Sequence, residues 1–169
     1  MKYRRSLFQF SSKRARAYLI RISGDVLLDV YNGRHVTKFD AEHVFPLKSA
    51  WEQGFAKMYV ENPTEARLKM KCFANDQRNL AVAGPGSNRS RGHKTLWNWV
   101  PLNLAWIPTR NAIVRELATD YGLTLTKPQI WAMDWADKKL RIRHKHGIHM
   151  GKVRAWLLQR GFHRALFPF

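Results

Sequence analysis

The residues best equipped for chemistry cluster in three short runs: Asp40-Ala-Glu42-His43-Val-Phe-Pro46, then Asn75-Asp76-Gln-Arg-Asn79-Leu80, then Asn88-Arg-Ser-Arg91-Gly-His93-Lys94. A histidine beside a carboxylate, with an amide downstream, is a set suited to phosphodiester hydrolysis. That reaction needs a base to activate water, a hard cation to stabilise charge on the phosphate and the leaving oxygen, and oxygen ligands for the cation. Histidine suits the first task near neutral pH. A carboxylate and an amide carbonyl suit Mg²⁺, which binds few protein groups and keeps several waters. Neighbours on a strand point to opposite faces. Glu42 and His43 can therefore divide the labour, one holding a metal while the other approaches the phosphate from its far side.

Each residue also has a simpler reading. His43 alone would be a buried structural histidine, Asn88 a helix N-cap, and Asn79 a structural amide. Asp40 is an outer ligand or the hydrogen-bond partner of a loop, and the second is preferred. His93 falls five residues after Asn88, about 500° round a helix at ~100° per residue, which fits substrate contact or plain exposure better than metal binding. Lys94, one residue on, can touch phosphate. The Gly-Pro-Gly-Ser-Asn run at 84–88 lacks the Lys-Ser/Thr ending of a phosphate loop and reads as a turn feeding a helix.

These residues need positioning elements. Ser11–Ile22 reads as a basic amphipathic helix with Ala15, Tyr18, Leu19 and Ile22 on one side. Val26–Tyr31 reads as a strand, Asn32-Gly33 as a tight hairpin turn, and Arg34–Phe45 as the returning strand, which Pro46 stops. Ser49 can cap a short helix over Ala50–Met58, and Pro63-Thr64 opens another through Lys71. Arg78–Ala83 is a short apolar strand, and the next helix should start near Asn88 with Ser87 or Asn88 as its cap. Thr109 and Gly122 bracket a helix with Ile113, Leu117 and Tyr121 on one face. Thr126 and Pro128 begin another carrying Ile130, Trp131 and Trp135, and a last one over Lys152–Arg160 stops at Gly161. The expected fold is α+β, a small central β-hairpin surrounded by helices.

Composition narrows the partner. Lys and Arg number 30 against 12 acidic residues, for a formal charge of +18. Such an excess costs self-repulsion in the folded state and points to a polyanion. Nucleic acid comes first, because each neutralised phosphate releases condensed counterions. A membrane is disfavoured, since no run of about 18 apolar residues exists. The basic N-terminus, interrupted by charge, lacks the apolar core of a secretory signal, so a cytoplasmic protein is expected. With 169 residues and 45% hydrophobic content the chain suits one domain. Cys72 is the sole cysteine, which excludes an intramolecular disulfide and a cysteine-based structural zinc. The seven tryptophans are read mainly as core. His144, His146 and His149 are interleaved with Arg141, Arg143 and Lys145, which would repel a cation. That tract reads as a basic surface for phosphates, as do Lys2, Arg4, Arg5, Lys13, Arg14 and Arg16.

The stretch Asp40–Pro101 resembles the HNH endonucleases of the ββα-metal superfamily. It is similar to the subgroup with an acidic-His-Val/Ile-x-Pro strand, an Asn-Leu strand and a helix opening Asn-Arg-Ser-Lys-Gly. The matching runs are EHVFPLKSAWEQG, FANDQRNLAV and SNRSRGHKTLWNWVP, in that order. The resemblance implies a ββα-metal core over about residues 26–101, with a basic helical segment 1–25 before it and a helical extension 102–169 after it. His43 takes the position of the general base, Glu42 of the acidic metal ligand, and Asn88 of the second protein ligand. Asn79 matches the amide that ties the loop backbone together and helps orient the base. Arg91, Lys94 and His93 become phosphate or substrate contacts. The implied cofactor is one Mg²⁺, with Mn²⁺ as a substitute, and the implied products carry 5′-phosphate and 3′-hydroxyl ends. DNA is the implied substrate, nicked or cut on both strands with limited sequence specificity. A single centre cuts one strand per event, so a double-strand break needs a homodimer, sequential nicks or a recruiting protein. Compact nucleases of this kind are common in phages and mobile elements. Two departures stand out: Glu42 replaces the usual Asp, and Arg91 the common Lys. The competing expectations are an RNA-directed nuclease or toxin, and a nucleic-acid-binding protein that keeps the fold without turnover.

Overall fold

A computed structural model describes residues 2–92 and 101–146, with side chains to residue 140. The chain is α+β: helices frame a two-stranded antiparallel sheet. Strand β1 (Asp40–His43) pairs with β2 (Leu80–Ala83), Asp40 opposite Ala83, Glu42 opposite Ala81 and His43 opposite Leu80. Segment 44–79 fills the interval with helices, so the sheet is not the local hairpin expected from Asn32-Gly33. The turn itself forms, with Gly33 at φ 72, a conformation that glycine adopts without a Cβ clash. Its flanks, however, reduce to one bridge between Leu28 and His35. The chemistry of a turn is local and readable, whereas the preference of β1 for β2 comes from burial. Ala81, Val82 and Ala83 are all buried, which needs a cover on both faces. The backbone N–H of Val30 also donates to the Val82 carbonyl (3.1 Å), extending this pairing.

Helix α1 (Ser12–Ser23) starts where Ser11 accepts from the Arg14 N–H at 3.4 Å. Ala15 and Leu19 are buried as the spacing predicts, but Ile22 is exposed. Before it, a 3₁₀ turn over Arg5–Phe8 ends at Gln9, a non-glycine residue in the left-handed region (φ 45, ψ 43). This turn sends Phe8 into the core and returns Phe10 towards β1. Helix α2 (Leu47–Ala50) begins directly after Pro46, so Ser49 is buried inside it rather than capping it. The chain then kinks at Gly54 (φ 169, ψ −43), within Trp51–Phe55, before α3 (Ala56–Glu61). Helix α4 (Pro63–Asn75) is capped by Asn62, with Pro63 at its first position. It extends one turn past the expected end.

Helix α5 (Pro85–Arg91) also starts earlier than expected, with Gly84 as its N-cap and Asn88 inside it. The backbone here passes close to Asp29: a Cβ on Gly84 would sit 2.9 Å from Asp29 Oδ2. That carboxylate is fully buried and accepts from Ser87 Oγ (2.6 Å), Asn32 Nδ2 (2.7 Å) and the Tyr31 N–H (2.9 Å). Asp29 thereby locks the 29–33 turn to the start of α5. Helix α6 (Trp106–Asp120) and helix α7 (Lys127–His146) pack together, with Arg115 bridging Asp134 and Asp137. Gln129 Oε1 accepts from the Thr126 N–H (2.7 Å), one half of a capping box. The core gathers Phe8, Phe45, Phe55, Met70, Phe73 and Leu117 between these helices. Trp51 belongs to it, while Trp131 is 60% exposed and stacks on Trp135. The expected helix at 152–160, together with His93, Lys94 and His149, lies outside the described residues. Arg141, Arg143 and Lys145 fall on the last turns of α7, and their side chains lie outside them as well.

Candidate active site

A cavity of about 530 Å³ opens beside β1, and Asp40, Glu42, His43 and Asn88 line it. Strand alternation places Asp40 and Glu42 on one face. Helix α5 crosses that face and brings Asn88, whose Nδ2 donates to Asp40 Oδ2 at 2.8 Å. That bond leaves the side-chain oxygen Oδ1 of Asn88 without a hydrogen-bond partner among the described residues. Two carboxylates and an amide oxygen thus meet at one wall, an all-oxygen donor set of the kind a hard divalent cation takes. Asp40 is the member that sequence reasoning set aside. Its period-two relation to Glu42 was the available signal, and its partner proves to be the Asn88 side chain rather than a loop.

Glu42 is 13% exposed and forms an ion pair with Arg91, which is itself buried. Burial raises the Glu42 pKa above its ordinary value, while Arg91 and then Arg5 act against that rise. Arg91 also donates from Nη1 to the His43 carbonyl (2.7 Å) and from Nη2 to the Val44 carbonyl (2.8 Å), and its guanidinium lies over the Tyr31 ring at 5.4 Å. The expected phosphate contact is therefore corrected. The fork of Arg91 is spent on Glu42 and on two backbone acceptors, which a lysine's single ammonium would serve less completely.

His43 is buried, and its Nε2 lies 2.9 Å from the Ala74 carbonyl at the end of α4. A carbonyl can only accept, so Nε2 carries the hydrogen and the lone pair resides on Nδ1. The ring meets Phe10 edge-on, with centroids 4.4 Å apart. Burial pushes the His43 pKa from 6.5 down to about 4, opposed by the Ala74 bond and reinforced by the charges of Arg5 and Arg91. The imidazole is neutral under ordinary conditions, with one nitrogen able to take a proton.

Asn79 is fully buried and makes no contact with the cavity. Its Oδ1 accepts from the Phe45 N–H (2.7 Å), its Nδ2 donates to the Phe73 carbonyl (3.2 Å), and its own carbonyl accepts from the Val44 N–H (2.9 Å). It staples the exit of β1 to the end of α4, the same helix end whose Ala74 carbonyl orients His43. Asn79 therefore helps to position His43.

Much of the rest of the rim comes from the N-terminal segment and basic helix, whose charges the sequence marked as a surface for phosphates but not as part of this cavity. Arg5 and Phe10 precede α1, Arg16 lies on it, and all three line the cavity with Lys48. Charge in that tail was visible in the sequence. Its register against β1 was not, because Gln9 reverses the chain with a residue type that seldom signals such a turn. Among the described residues, this cavity included, no three His, Cys, Asp or Glu side chains gather into a group that could hold a metal ion, and none of the helices is long and apolar enough to cross a membrane. No family model, no curated protein and no solved structure matches this chain.

Proposed function

We propose that this protein is a divalent-metal-dependent endonuclease of the HNH, ββα-metal kind, hydrolysing phosphodiester bonds in nucleic acid and foremost in DNA. The observation that carries this reading is that one cavity is lined both by a neutral histidine, whose Nδ1 has no hydrogen-bond partner among the described residues, and by the oxygen-bearing side chains of Asp40, Glu42 and Asn88. The order strand, strand, helix (β1, β2, α5) supports it, as does the descent of each group from the motif that nominated it.

Mg²⁺ fits the donors present: Glu42 and Asn88 would hold it, with Asp40 beside them. When bound it would stabilise charge on the phosphate and on the departing 3′-oxygen. The remaining work falls to the chain. His43 Nδ1 removes a proton from water as that water attacks phosphorus; the P–O3′ bond breaks, and the departing 3′-oxygen takes a proton from solvent water, leaving a 5′-phosphate and a 3′-hydroxyl. The Ala74 carbonyl fixes the ring tautomer throughout. The surroundings that lower the His43 pKa also make the imidazolium give up its proton readily to solvent. Arg91 keeps the Glu42 carboxylate charged and in place against the cost of burial.

A supercoiled-plasmid assay tests this reading. The wild-type chain should nick plasmid with Mg²⁺ or Mn²⁺, lose the activity in EDTA, and lose it by a factor of about 10²–10⁴ in His43→Ala, the range a positioned base contributes. Absence of nicking with every divalent ion tried on DNA, and of cleavage of a structured RNA in parallel, would sink the enzyme. Full cleavage by the mutant would remove His43 as the base.

A further inference from the structure

We propose that Arg5 and Arg16 form a phosphate-gripping subsite of this centre, holding the nucleic-acid backbone on either side of the bond that is cut. The proposal rests on the reading of the substrate as nucleic acid given above. Both residues are exposed at the cavity rim. Each guanidinium lies over an aromatic ring, Arg5 at 5.8 Å from the Phe10 centroid and Arg16 at 4.9 Å from that of Phe39. A ring beneath a guanidinium holds its plane while leaving the N–H edges open, and those edges match the oxygens of a phosphate.

Other arginines show what an arginine serving the fold looks like. Arg78 is paired with Asp76 and Asp120, Arg115 with Asp134 and Asp137, and Arg91 with Glu42. Arg5 and Arg16 form no ion pair among the described residues, although two carboxylates line the same cavity. Those carboxylates would repel a polyanion, and cations placed at the rim offset them. The placement is also built into the fold. Phe8 is fully buried and meets Phe55 edge-on, Asn75 Nδ2 donates to the Gln9 carbonyl at 3.4 Å, and Phe10 walls the base itself. The ring that carries Arg5 is therefore the ring against which His43 packs, so a phosphate held by Arg5 lies next to the base.

Binding measured in EDTA separates this subsite from turnover. A labelled duplex DNA, and a duplex RNA of the same sequence, would be titrated with the full chain over a range of salt. The slope of log affinity against log salt should shrink by about one unit for Arg5→Ala and for Arg16→Ala, because each phosphate contact contributes about 0.9 to it. Arg5→Lys and Arg16→Lys should keep the slope and lose part of the affinity. Arg67→Ala, on α4 away from the cavity, should leave the slope within error. Equal slopes for wild type and the two alanine variants on both duplexes would overturn the proposal, as would an equal change in Arg67→Ala, which would reduce the effect to net charge. Loss of slope in a chain that cuts nothing would keep the subsite while removing the nuclease. Cutting with unaltered slopes would do the reverse.

Discussion

His43 combines two properties that pull apart in water: it is a base, and its conjugate acid is unstable where it sits. Unfolded, the side chain titrates at the ordinary 6.5; folded, it does so at about 4. Between these values the unfolded chain binds a proton that the folded chain refuses, so stability falls as pH drops through that window and is fully present above it. The loss attributable to this residue reaches on the order of 3 kcal/mol at the acid end, since one pKa unit is about 1.4 kcal/mol. Chemical denaturation at a series of pH values should show this limb in wild type and a shallower one in His43→Gln. Equal limbs would mean that the ring is solvated. Arg91 teaches a related lesson. Motif logic assigned it to substrate, yet burial left its charge one sensible partner, Glu42. A buried carboxylate next to a base needs a counter-charge before it can serve anything else.

Elements decide whether those residues meet. Asn79 ties β1 to α4 through the Phe45 N–H and the Phe73 carbonyl. Asn79→Ala would strand both groups in the core at a cost of about 2–4 kcal/mol, which for a chain of this size lowers the melting temperature by roughly 5–15 °C. Thermal unfolding checks the first effect. The second is a loss of nicking at a temperature where the variant is still folded, because Ala74 no longer holds His43. Much of this layout was legible in the sequence: helices α1 and α4, the short apolar β2, the turn at Asn32-Gly33 and the α+β class all leave local signals, although the caps Ser11 and Asn62 were not named. The pairing of β1 with β2 was not, since it is decided by which apolar segments can bury each other across the distance from Phe45 to Leu80. Nor was the earlier start of α5, because Pro85-Gly86 reads as a turn while Pro85 in fact occupies the first helical position. The candidate site itself was legible in His43, Glu42 and Asn88. The charge of Arg5 was legible as a surface for phosphates, but its place at the cavity beside Phe10 was not, because it depends on one left-handed residue.

At the scale of the whole molecule, a net charge of +18 opposes compaction. Raising salt from about 0.1 M to about 1 M shortens the screening length from about 10 Å to about 3 Å. The folded chain should therefore melt at a higher temperature in high salt, while the DNA binding proposed above should weaken. Calorimetry and binding run in the same buffers would show the opposite trends, and a melting point that falls with salt would show that specific ion pairs outweigh the general repulsion. The long interval between β1 and β2 has a consequence in time. As the chain is made from its N-terminus, Glu42 and His43 emerge early, but the second strand, Asn79, Asn88 and Arg91 follow tens of residues later. A nascent or truncated chain ending before Arg91 holds Glu42 and His43 without the ion pair and backbone contacts that Arg91 makes to them. Synthesis order thus delays the assembly of the candidate site until more than half of the chain exists.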